Sequence, residues 1–122
     1  MQNMVTRLFN PEEALERLGN DTELLKHLVF TFQNDFSRQR DGLEDAIGSG
    51  NLALLKKELH SLKGSSAAVG ASGISEAVKD IEQRIASGQA GWSEAVSASR
   101  ALLQSLQTVQ QEFRKWMEAT SE

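Results

Sequence analysis

The segment LALLKKELHSLKGSSAAV, residues 52–69, decides how the rest of this chain is read. Placed at about 100° per residue, Leu52, Leu55, Leu59, Leu62, Ser66 and Val69 fall on one stripe, the mark of an amphipathic helix. On the same wheel His60 lies about 130° from the centre of the stripe, so its imidazole is expected to face outward. Lys56, Lys63, Gly64 and Ala67 share that broad outer face. Glycine inside a helix costs about 1 kcal/mol relative to alanine, and Gly64 sits one turn from an exposed histidine. The combination reads as space left open so that something can reach the ring.

Outward from this segment, every long stretch has helical period. Before it, Gly48-Ser49-Gly50-Asn51 is a short break, and short connections favour antiparallel neighbours. Asp21 can cap a helix running to about Ile47, with Leu25, Leu28, Val29, Phe32, Phe36, Leu43 and Ile47 on one side. Further upstream, Asn10-Pro11-Glu12-Glu13 has the form of a helix start. That short helix carries Leu15 and Leu18 and stops at Gly19-Asn20. After residue 70, Ser72 can cap a helix with Ile74, Ala77, Val78, Ile81 and Ile85 inward and Gly88 just past its end. A long last helix follows Gly91, with Trp92, Val96, Leu102, Leu103, Leu106, Val109, Phe113 and Trp116 on its apolar side. Four substantial amphipathic helices joined by short turns predict an all-α protein, an antiparallel four-helix bundle with a short additional N-terminal helix. Residues 1–122 read as one domain, with no repeat, low-complexity tract or linker.

Composition narrows the function classes. The net charge of −4 argues against a general nucleic-acid binder. The absence of cysteine removes disulfides and thiolate metal sites. No apolar run approaches the roughly 18–20 residues of a membrane span, and the stretch from Met1 to Phe9 lacks a signal-peptide core. A cytoplasmic protein is expected.

An exposed neutral imidazole is a nucleophile as well as a base. A phosphoryl group on its Nε2 would be held through a labile P–N bond, and Lys63, one turn on, can offset charge on the phosphoryl oxygens. Gly64 presents no side chain to an approaching partner. Ser65 is a further donor, unless it bonds back to the preceding helical turn. Reversing the chain near residues 69–72 brings Glu82 level with His60, where a carboxylate facing Nδ1–H would leave Nε2 free to attack. Reversal near residues 49–50 brings Arg38, Gln39 and Arg40 level with His60 from the other side, without deciding which of them points toward it.

The run from His60 through Lys63, Gly64, Ser65, Ser66 and Gly70 to Ala71, with Ile74, Val78 and Ile81 following, resembles the histidine phosphotransfer (HPt) domains of multistep phosphorelays. The likeness extends over about residues 10–90, and the last helix, about residues 92–118, agrees with the bundle of that family. It implies that His60 takes a phosphoryl group from a receiver-domain aspartate and passes it to another receiver, of a response regulator or a hybrid sensor histidine kinase. Lys63 and Gly64 match the supporting lysine and the access glycine. Glu82 falls where family members place a Gln or Glu that bonds the histidine. The resemblance further implies a phosphocarrier without an ATP site or kinase activity, with Mg²⁺ belonging to the partner receiver and no cofactor of its own. One departure stands out: where some members carry an arginine one turn beyond Glu82, this chain has Ala86, for which Lys79, Arg84 or Lys56 could compensate.

Lys56, Lys57, Ser61, Ser65, Ala67 and Lys79 are the expected docking residues around His60, the lysines steering an acidic receiver pocket. His27 also points away from its stripe, but Phe30 and Thr31 stand where His60 has a lysine and a glycine, so it reads as structural. Phe30 is expected to be covered by Met4, Leu8 and the short helix. A monomer is expected. Two other readings stay in view: an interaction or inhibitory module in which His60 is not phosphorylated, and a metal-binding bundle. The second fares poorly, because the chain has no paired Glu-x-x-His motifs.

Overall fold

The computed structural model describes residues 7–120. Among these there are six helices and no strand: α1 (Pro11–Arg17), α2 (Thr22–Asn34), α3 (Phe36–Gly48), α4 (Leu52–Ala68), α5 (Ser72–Ala86) and α6 (Trp92–Ala119). The all-α expectation is met, and α2 with α3 forms one arm of a bundle whose other arms are α4, α5 and α6. The single helix expected over residues 21–47 is divided at Asp35 (φ −87°, ψ −3°). Asn34 and Asp35 are adjacent residues whose side chains compete for backbone hydrogen bonds and favour helix ends. The Asp35 carboxylate pairs forward with Arg38 at 3.0 Å. The amides of Asp35 and Gln39 still reach Thr31 O and Asp35 O, so the arm is bent rather than broken.

Local chemistry sets most of the helix ends. The Asp21 carboxylate accepts from the Leu24 amide and the Asn51 side-chain oxygen accepts from the Leu54 amide, each at 3.0 Å. These caps satisfy donors that the helix cannot. Two of the expected caps, unlike Asp21, are differently employed. Asn10 makes no cap bond; its side-chain amide donates to Ser72 Oγ. Ser72 is therefore the first residue of α5 rather than its cap, and Ala71 precedes it. The Asn10 amide also donates to the Gly70 carbonyl at 2.8 Å. Gly70 sits at φ +82°, and a Cβ there would meet Ala14 Cβ at 2.6 Å. Position 70 therefore requires glycine twice over, for backbone conformation and for space.

The core is continuous through all the arms: Leu25, Val29 and Phe32; Leu43 and Ala46; Leu55, Leu59 and Leu62; Ile74, Val78 and Ile81; Leu102, Leu106, Val109 and Phe113. Ser66 is buried on the α4 stripe because its hydroxyl donates to the Leu62 carbonyl at 2.6 Å. The segment before α1 is strapped to the bundle. Glu112 of α6 accepts from the amides of Leu8 and Phe9, and the Gly73 amide donates to Leu8 O. Phe9 lies edge-on to Phe113 and Trp116. Three sequence expectations fail at the margins. Leu52 is exposed, being the first residue of α4, and Ala77 faces solvent. Phe30 is 55% exposed rather than covered; it lies off the α2 stripe, and Met4 lies outside the described residues. Among the described residues no helix is long and apolar enough to cross a membrane.

Candidate functional site

His60 lies in the middle of α4, and its side chain is 75% exposed. The leucines that flank it, Leu59 and Leu62, are buried; they anchor the helix and thereby fix the imidazole on its outer side. The facing element is α5, where Val78 and Ile81 are buried and turn Glu82 toward α4. Glu82 Oε2 stands 3.4 Å from His60 Nδ1, and Oε1 stands 2.6 Å from Lys63 Nζ. One carboxylate therefore serves two partners. Its side chain is 22% exposed, whereas that of Lys63 is 35% exposed. The short contact to Lys63 is a charge-assisted hydrogen bond. The longer one to His60 sets Nδ1 on the carboxylate side of a ring that is otherwise exposed.

Gly64 is one turn beyond His60, and a Cβ built there meets nothing within 4 Å. Among the described residues nothing requires this position to be glycine. Ser61 and Ala67 are exposed on the same ridge. Ser65 is not: its hydroxyl donates to the Leu62 carbonyl and accepts from Gln39 Nε2, both at 3.2 Å. As a half-buried tie between α3 and α4, Ser65 has its hydrogen bonds committed inside the protein, and the back-bonding alternative is the one adopted.

None of the three residues expected level with His60 on the α2–α3 arm adds charge to it. Arg38 pairs with Asp35, Arg40 lies over the Phe36 ring and beside Asp41, and Gln39 is buried against Ser65. Gln39 was legible only as a polar residue at a helix-period core position, with nothing to identify Ser65 as its partner. Arg17, which reaches from α1 to the Ala67 carbonyl at 3.0 Å, left no sequence signal either. Of the candidate compensators for Ala86, Arg84 faces Asp80 at 3.6 Å, and Lys79 is exposed on the outer side of α5. Lys56 and Lys57 line a groove together with His60, Glu82, Ile85 and Ala86. His27 is exposed, with its backbone carbonyl accepting from the Thr31 hydroxyl. No carboxylate lies within ion-pair distance of it among the described residues. No group of three or more His, Asp or Glu side chains among the described residues is placed to hold a metal ion.

The arrangement offers an imidazole open to solvent, a carboxylate 3.4 Å from one ring nitrogen, and a cation one turn away. The family model described as the Hpt domain matches residues 27–112, well over half of the chain. Among solved structures, the HPT domain of the Hpt sensor hybrid histidine kinase from Shewanella is similar with a TM-score of 0.80 and 15% identity. That match covers 95% of this chain and 98% of the other; at such identity it speaks for the bundle alone. A search of curated protein sequences finds no match.

Proposed function

This chain belongs to the Hpt domain family, and on that premise we propose that His60 accepts a phosphoryl group from a receiver-domain aspartate and hands it to a second receiver. Hpt domains carry phosphoryl groups in phosphorelays and interact with receiver domains. The observation that carries the reading to residues is the Glu82 carboxylate shared between His60 Nδ1 and Lys63 Nζ, beside an unobstructed Gly64.

In the proposed step the Nε2 lone pair attacks phosphorus of the partner's acyl phosphate. A P–N bond forms, the P–O bond to the aspartate breaks, and the electron pair leaves with the carboxylate. The Nδ1 proton stays on the ring, turned toward the Glu82 oxygen that orients the imidazole. Lys63 offsets the negative charge of the phosphoryl oxygens. The reverse sequence passes the group on, and Mg²⁺ is supplied by the receiver. The protein contributes position and charge; it does not turn over a substrate alone.

The test is uptake of labelled phosphate from a phosphorylated receiver, with wild type and His60→Gln side by side. Wild type alone is expected to become labelled, with an acid-labile, alkali-stable bond. Full labelling of the variant would overturn the assignment.

A further inference from the structure

The groove beside His60 has an unbalanced charge. Of the residues that line it, Glu82 is the one carboxylate, and that carboxylate is already held at 2.6 Å by Lys63. Lys56 and Lys57, at its other end, are exposed and form no ion pair among the described residues. Ala86 also lines the groove, and its methyl group fills little of the space. A recess next to a nucleophilic nitrogen, with two lysines that have no ion-pair partner among the described residues, is suited to an anion.

Resting on the phosphohistidine reading above, we propose that Lys56 is a second phosphoryl-binding cation, closing on the group from the side opposite Lys63. Lys56 lies four residues before His60 and Lys63 three residues after, and such helix neighbours have Cβ atoms about 5–6 Å apart. Helical side chains lean toward the N-terminus, so the His60 ring covers the turn that begins at Lys56. On the helical wheel Lys56, His60 and Lys63 fall within an arc of about 60°. Lys63 shows which way that arc faces, because its ammonium reaches Glu82 on α5. The same antiparallel register that sets Glu82 beside His60 sets Ala86, one turn further along α5, beside Lys56. A larger residue at position 86 would occupy the space through which the Lys56 ammonium swings toward Nε2.

The other cations are placed differently. Arg84 is engaged with Asp80, and Lys79 is absent from the groove lining. Lys57 lines the groove but stands about 120° from Lys63 on the wheel, on the Ser61 and Gly64 ridge. It is the natural control, able to steer a partner without reaching the phosphoryl group from the α5 side.

The experiment is ³¹P NMR titration of the phosphorylated protein, without a partner present. It compares wild type, Lys56→Gln, Lys56→Arg and Lys57→Gln, each phosphorylated with phosphoramidate and separately with a receiver loaded from acetyl phosphate and Mg²⁺. Loss of a cation at this range raises the second ionisation of the phosphoryl group by on the order of half a pH unit. Lys56→Gln is expected to show that shift and to shorten the phosphohistidine half-life severalfold. Lys56→Arg should restore both, and Lys57→Gln should leave both unchanged. A Lys56→Gln titration identical to wild type overturns the Lys56 inference and leaves the carrier reading standing. So does an equal shift in Lys57→Gln, which would make the effect one of general charge. A wild type that yields no phosphohistidine signal with either donor overturns both.

Discussion

Gly64 offers a perturbation whose effects on folding and on transfer have opposite signs. It lies inside α4 with ordinary helical backbone, and a Cβ there meets nothing within 4 Å. Gly64→Ala therefore gains helix propensity of about 1 kcal/mol with no steric cost. Unfolding entropy near 2.1 cal/mol/K per residue over 122 residues converts that gain into a rise in Tm of about 4 °C. Gly73→Ala is the matched control, since its Cβ would stand 2.8 Å from Leu8 Cα. Leu8 is held from both sides by Gly73 and Glu112, so the backbone cannot yield cheaply. Overpacking of this kind costs about 1–3 kcal/mol. The same substitution should thus stabilise at one helical glycine and destabilise at the other, as read by thermal and urea unfolding. For function, Gly64→Gln keeps the propensity gain but places a long side chain beside Nε2. Receiver-to-protein phosphotransfer should fall at least tenfold while Tm stays at or above that of wild type. A lowered Tm for Gly64→Ala would refute the open-space geometry. An undiminished transfer rate in Gly64→Gln would refute the idea that this glycine serves a partner.

Two further outcomes follow from the site and the caps. Glu82→Ala removes the acceptor at Nδ1 and the partner of Lys63 together. A loss of about 1 kcal/mol in transition-state positioning corresponds to a rate lowered about fivefold. Glu82→Gln, which still accepts from Nδ1–H, should stay near wild type in single-turnover transfer. Equal losses in the two variants would show that the carboxylate charge, rather than the orientation of the ring, is what matters. Asn51→Ala removes the cap on α4 and should cost about 1 kcal/mol, or about 4 °C, in thermal unfolding. Its transfer rate should be unchanged, because the cap lies more than two turns from His60; a slowed rate would mean that the helix end positions the ring.

What was readable from the chain alone has a local cause. The stripe from Leu55 through Leu59 and Leu62 to Ser66 follows from helix period, and the same period places His60 and Gly64 outside. Asp21 caps from one turn away, and Gly19, Gly50, Gly70 and Gly88 end segments because each adopts positive φ. Interactions within four residues are encoded in spacing, so they could be read without coordinates. Asn10 and Ser72 have the composition of caps, yet they bond to each other across 62 residues, and no local pattern distinguishes these uses.

The tertiary structure alone decided how the site is wired. Counting residues around a turn brought Glu82 level with His60, but a level is good to a turn of helix, whereas a hydrogen bond is decided within about half an ångström. The packing of α4 on α5 set the carboxylate 2.6 Å from Lys63 and 3.4 Å from His60, making it a shared group rather than a dedicated partner. The same packing spent Gln39 on Ser65, turned Arg38 and Arg40 to local partners, and opened the groove over Ala86. Periodicity fixes the direction a side chain takes from its own helix. What it meets there depends on the register and distance of another helix, and those are set by the summed packing of the whole core.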